Sequence, residues 1–145
     1  MQRQIHTIAK GRVGRVLVVD DEPNIRRLVA LNLIKSGYEV VEAQDGAQAI
    51  AALNAGDNPL MVDAILCDIR MPRINGQEAI AYFRNQYRSI PVVVLTGYPD
   101  VELAVTLLKQ GVAEYLIKPV TKERLLEVVQ TMVAQRRILE NQFVV

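Results

Sequence analysis

Short runs of β-branched and aliphatic residues recur along the chain, most of them closing on an acid, a threonine or a lysine, with helix-length segments between them. The runs are RVLVVD at 15–20, the segment 38–43, VDAILCD at 62–68, PVVVLT at 91–96 and the segment 113–117. The shortest are apolar nearly throughout, as strands are when both sheet faces are covered. Between them, 23–36, 45–53, 77–87 and 100–110 read as helices, and a last helix begins after Thr121. Pro23 suits a first turn, and Ile25, Leu28, Val29, Asn32 and Leu33 follow at helical spacing. Asp45 and Thr121 are placed to cap helices, and Gly37 and Gly111 to end them. Five strands alternating with five helices predict an α/β fold, a doubly wound parallel sheet in a single domain.

The length of 145 residues fits one such domain with short ends: a tail over 1–13, the domain over 14–134, and a helical extension or linker over 135–145. A formal net charge of +1 lacks the basic excess of a nucleic-acid-binding surface, so no direct nucleic-acid contact is expected. Cys67 is the single cysteine, unable to form an internal disulfide and expected to be a small buried residue. No secretory leader and no apolar run of spanning length is read in the sequence, so no membrane contact is expected and the expected compartment is the cytoplasm.

In a doubly wound sheet, ligands sit beyond the carboxyl ends of the strands, near the switch in strand order. The first strand delivers Asp20 and Asp21 there, the third Asp68, the fourth Thr96 and the fifth Lys118, followed by Pro119. Three aspartates in one partly desolvated pocket repel each other, and a divalent cation with Lys118 is the simplest compensation. Mg²⁺ (or Mn²⁺) suits oxygen donors of this kind, and no His or Cys cluster invites zinc. Phosphoryl transfer needs positioning and charge neutralisation above all, and a carboxylate can be its nucleophile. Asp68 is the central candidate for an aspartyl phosphate, with Thr96 and Lys118 holding the phosphoryl oxygens. Asp20 and Asp21 as helix caps, Thr96 as a structural strand residue and Lys118 as a surface lysine are the plainer readings of the same residues taken singly.

Four segments, LVVDDEP at 17–23, DIRMPRING at 68–76, VVVLTGY at 92–98 and YLIKP at 115–119, stand in order, each at a strand end. Together they make the chain from about residue 13 to 133 resemble the receiver domain of two-component response regulators. The resemblance implies a flavodoxin-like sheet of strand order 2-1-3-4-5. It implies that Asp68 is the phosphoacceptor and that Asp20, Asp21, Asp68 and the backbone carbonyl of Arg70 are the metal ligands. It implies a switch made of Thr96 and Tyr115, and a cis bond before Pro119. The donor would be a histidine kinase or phosphotransfer protein, and an output domain would lie outside this chain. The bulky Arg70 and Tyr98, two residues after Asp68 and Thr96, imply a long-lived phosphorylated form.

In the helix over 100–110, Val101, Ala104, Val105 and Leu108 share one stripe while Leu103 and Leu107 point to the other side. Leu103 and Leu107 are therefore expected on a partner surface, with a homodimer through this helix, the fifth strand and the last helix. In the last helix, Leu125, Val129, Met132, Arg136, Leu139 and Phe143 follow a heptad seam broken at Arg136, as in a signalling helix leading out of the domain. Two other uses of such a fold compete. A pseudo-receiver would bind partners without phosphorylation, against which the complete set of Asp20, Asp21, Asp68, Thr96 and Lys118 argues. A metal-dependent phosphatase would need a substrate cap, for which the connections are short.

Overall fold

Successive residues of a strand point to opposite sheet faces, so an uninterrupted apolar run needs helices on both sides. The computed structural model, which describes residues 13–69 and 76–141 with the side chains of 139–141 excepted, has that arrangement. The order is β1 (Arg15–Val19), α1 (Pro23–Lys35), β2 (Glu39–Ala43), α2 (Gly46–Leu53), α3 (Asn58–Met61), β3 (Val62–Cys67), α4 (Gly76–Gln86), β4 (Val92–Thr96), α5 (Val101–Lys109), β5 (Glu114–Ile117) and α6 (Lys122–Asn141). All neighbouring strands are parallel, in the order β2-β1-β3-β4-β5, the flavodoxin-like arrangement expected.

The two faces hold two cores. Leu17, Val19, Ile65, Cys67, Val92 and Val94 face α2, α4 and α5, and bury Leu53, Ile80, Phe83 and Leu107. Val16, Val18, Ala64, Leu66, Val93 and Leu95 face α1 and α6, and bury Leu33, Leu125, Val129 and Met132. Helix starts follow the local chemistry: Asp45 accepts from the Gln48 amide at 2.8 Å, Asp100 from Leu103 at 3.0 Å, and Thr121 from Arg124 at 3.1 Å. The short α3 was not predicted. It is pinned from outside, since Asn58 donates to the Ala52 carbonyl at 2.7 Å and accepts from Arg15 at 2.8 Å.

One expectation is corrected. Leu107 does not lie on a partner surface: it is 1% exposed in the first core, and Leu103 packs partly against that core. The other stripe faces outward, with Val101 81%, Val105 46% and Leu108 49% exposed. A helix apolar on two sides has no periodicity that chooses between them; the β4–α5–β5 crossover chooses, and it presses the leucine side onto the sheet. The last helix runs through residue 134 without a break. α6 continues to Asn141, and Arg136, only 5% exposed, donates to the Val62 carbonyl at 2.9 Å and to Asp63 Oδ1 at 3.1 Å. The break in the heptad seam is thus a buried ion pair with the start of β3, and Leu125, Val129 and Met132 pack on the chain's own sheet. Among the described residues no helix is long and apolar enough to cross a membrane.

Candidate functional site

The sheet ladder carries the site residues to one edge. The Asp20 amide donates to the Ala43 carbonyl at 3.1 Å, Asp68 to Val19 at 2.9 Å, and Lys118 to Thr96 at 2.8 Å. Each residue is therefore held in register just past its strand, where β1 borders both β2 and β3 and the strand order reverses. Carboxylate oxygens of Asp20, Asp21 and Asp68 lie within 4.8 Å of one another, with Asp20 and Asp68 buried and Asp21 exposed.

One ammonium serves two of them. Lys118 Nζ donates to Asp20 Oδ2 at 2.8 Å and, at a long 3.4 Å, to Asp68 Oδ2. Burial alone pushes the Lys118 ammonium down, but the hydrogen bond to Asp20 and the charges of Asp68 and Asp20 outweigh it, and its pKa is raised. The bond between Lys118 and Pro119 is cis. Asp20 has further partners: its Oδ1 accepts from the Glu22 amide at 2.9 Å, in the turn before α1 and not as a cap of the helix, and its backbone carbonyl accepts from Arg26 at 2.8 Å. Arg26 also pairs with Glu42 at 3.0 Å. Arg26 was not foreseen as a support of the site; its signal was Glu42, the acid at the end of the neighbouring strand.

Asp21, Glu22, Asp68, Gly97, Tyr98 and Lys118 line an open pocket of about 430 Å³ over these carboxylates. Thr96, the last residue of β4, is fully buried, and its Oγ1 accepts from the Tyr98 amide at 3.0 Å. Its own O–H reaches the Tyr98 carbonyl only at 3.4 Å, a weak bond. Tyr98 itself is 63% exposed at the mouth. Tyr115 is half-buried, and its hydroxyl accepts from the Asp100 amide at 3.3 Å. Gly76 closes the back of the site: a Cβ there would lie 2.3 Å from Ile69 Cα and 2.4 Å from the Asp68 carbonyl oxygen. Arg70, expected to offer a backbone carbonyl, lies outside the described residues.

A family model, the response regulator receiver domain, matches residues 16–130. The chain belongs to this family. The transcriptional regulatory protein GlrR of Escherichia coli is 33% identical over 122 residues, which are 84% of this chain and 27% of that protein. The regulatory protein AtoC of the same species is 37% identical over 118 residues, 81% of this chain and 25% of that protein. A receiver domain from Clostridium thermocellum superposes with a TM-score of 0.82 at 27% identity, covering 88% of this chain and 99% of that one. The receiver domain of NtrX from Brucella abortus gives 0.74 at 31% identity, covering 82% and 98%. This receiver domain spans about a quarter of the length of those curated relatives.

A divalent cation fits this receiver pocket by its donor chemistry. The grouped ligand atoms are all carboxylate oxygens, from Asp20, Asp21 and Asp68. An oxygen-only set with one exposed side suits a hard ion that keeps part of its water. The neighbouring Cys67 takes no part: it is buried in the core, and burial first, then the charges of Asp68 and Asp20, push its thiol strongly upward.

Proposed function

We propose that this receiver domain takes a phosphoryl group onto Asp68 from a histidine kinase or phosphotransfer protein, and that the change in charge there controls an output domain or partner. The observation that carries the reading is the gathering of three carboxylates within 4.8 Å, two of them on one ammonium, beside an open pocket. A carboxylate oxygen of Asp68 forms the new bond to phosphorus as the bond from phosphorus to the donor histidine nitrogen breaks, and the electron pair leaves with the imidazole. Asp20, Asp21 and Asp68 would hold Mg²⁺ or Mn²⁺ together with the Arg70 carbonyl. When bound, the ion supplies positive charge against the phosphoryl oxygens.

Lys118 holds Asp20 closely and Asp68 loosely, so its ammonium can pair with a phosphoryl oxygen on the Asp68 side while keeping Asp20. Thr96 spends its proton on a weak bond to the Tyr98 carbonyl. Redirecting that hydroxyl to a phosphoryl oxygen costs little and draws the β4 end inward. The Tyr115 hydroxyl, on a long bond to the Asp100 amide, would follow into the space so vacated. Contacts to an output domain or a second copy would form on α5, β5 and α6, where Val101, Val105, Leu108 and Ile117 are exposed. Tyr98 at the pocket mouth would slow the approach of a hydrolysing water, and the bulky Arg70, two residues after Asp68 in the sequence, would add to this, lengthening the life of the phosphorylated form.

The test is incubation with Mg²⁺ and acetyl phosphate, read by intact mass. One labile phosphoryl adduct is expected, absent in Asp68→Asn and absent with a chelator. Absence of any adduct with acetyl phosphate and with a panel of phosphorylated histidine kinases would sink the proposal in favour of a binding module that is not phosphorylated.

A further inference from the structure

A second polar pocket lies at the opposite end of the sheet. Arg84 and Arg88 from the end of α4 and beyond, Ser89, Gly111 before β5, and Gln135 and Arg136 of α6 line a recess of about 140 Å³. Pro91 and Ala113, which precede β4 and β5, complete its wall, so it opens at the amino ends of the strands, away from Asp68.

Three guanidinium groups line it, and among the described residues only Arg136 has a carboxylate partner. Arg136 is paired with Asp63 at 3.1 Å. Among the described residues neither Arg84 nor Arg88 has a carboxylate partner; Arg84 Nη1 donates to the Arg88 carbonyl at 3.1 Å. The Nε–H of Arg84 is buried with no acceptor among the described residues. A buried donor left unmade is unfavourable, by about 1–3 kcal/mol in general, and proteins seldom keep one without a use. Gly111 makes the placement possible: its missing side chain leaves room for Arg84, whose Nη2 would lie 2.9 Å from a Cβ there. Burial, and then the neighbouring charge of Arg88, hold the Arg84 guanidinium below its ordinary value. The pocket is thus short of negative charge as well as of an acceptor.

We propose that this recess is a binding site for a phosphate group. A guanidinium presents paired N–H donors that match the oxygens of phosphate or carboxylate. Two uncompensated positive charges favour a dianion over a monoanion, so phosphate fits better than carboxylate. The volume is well below the range typical of drug-sized ligand pockets, so the site takes the phosphate group itself with little attached. Occupancy would tie α4, the turn before β5 and α6 together at one point, independently of Asp68.

The experiment titrates inorganic phosphate into the full chain in the presence of a chelator, which keeps the acidic pocket out of the measurement. The Arg84 Nε–H resonance is followed by NMR. Expected is a saturable shift of that resonance, with acetate at equal ionic strength binding at least about tenfold more weakly. Arg88→Gln, at an exposed position that leaves the fold alone, should weaken phosphate binding severalfold, and Arg84→Gln with Arg88→Gln should remove it. Both variants should still take the acetyl-phosphate adduct on Asp68, which separates this site from the phosphoacceptor. Glycerol phosphate added in a parallel arm separates sources: equal binding admits phosphate monoesters, and exclusion restricts the site to the free ion. No shift with phosphate, an equal response to acetate, or unchanged binding in the double variant would each overturn the proposal.

Discussion

Lys118 stands between two buried carboxylates, and the chemistry of the site turns on that one ammonium. Its pKa is raised above the ordinary value of 10.5, so the stabilisation it lends is fully present below that pH and is lost as pH rises through the higher folded value. Urea melts of the wild type should therefore decline in midpoint above pH 10.5, and Lys118→Met should flatten that decline. The same variant removes the cation that competes for Asp20, so calorimetry should find tighter Mg²⁺ binding even as the acetyl-phosphate adduct is lost. Gly76 is the other residue on which the site depends. Its Cβ would sit 2.3 Å from backbone of Ile69, which no rotamer change can relieve. Gly76→Ala should destabilise by about 1–3 kcal/mol or more in urea melts and slow adduct formation at Asp68. Both residues stood in the quoted motifs, at 115–119 and 68–76. Arg84, half-buried with its Nε enclosed, and the supporting Arg26 stood in none, because an arginine in a helix reads as a solvated residue until its partners across the fold are known.

At the scale of elements, α5 and α6 carry the lessons. Leu107→Ala in α5 should cost about 2–5 kcal/mol, whereas Val105→Ser on its outer side should stay within about 0.5 kcal/mol; equal effects in chemical denaturation would contradict the placement of the helix. In α6, Arg136→Met leaves Asp63 buried without its principal cation and should destabilise by about 3–5 kcal/mol. Asp63→Asn combined with it should recover part of that loss, which a double-mutant cycle would measure. The capping residues Asp45 and Thr121, and the turn glycine Gly37 with φ +97°, were legible from the chain alone because each acts on its immediate neighbours. The orientation of α5 and the anchoring of α6 were not, since both depend on residues far away in sequence.

For the whole molecule, the acidic pocket is coupled to global stability. Asp20 and Asp21 follow β1 and Asp68 follows β3, so these two neighbouring strands must be in register before a cation has its ligands. A ligand that binds only the folded state stabilises it by mass action, about 2.7 kcal/mol at one hundred times its Kd. Thermal melts should show Mg²⁺ raising the Tm of the wild type, with the rise abolished in Asp21→Asn and Asp68→Asn and restored to baseline by chelation. The exposed apolar stripe of α5 and the charged recess at the amino ends of the strands lie away from this coupling, and their variants should leave the Mg²⁺ response intact.

The sequence alone determined the fold class, the run of strands and helices, and the residues that end each strand. These follow from local periodicity, capping and turn chemistry, which act over a few residues. The family motifs added the strand order and the candidate roles at one sheet edge. Only the tertiary structure decided which side of α5 is buried, that Arg136 anchors α6 to the start of β3, that Lys118 leans toward Asp20, and that Arg84 lines a recess with no carboxylate partner among the described residues. Those facts rest on crossovers and on pairs separated by tens of residues, where burial and charge are set by what the fold brings alongside and not by neighbours along the chain.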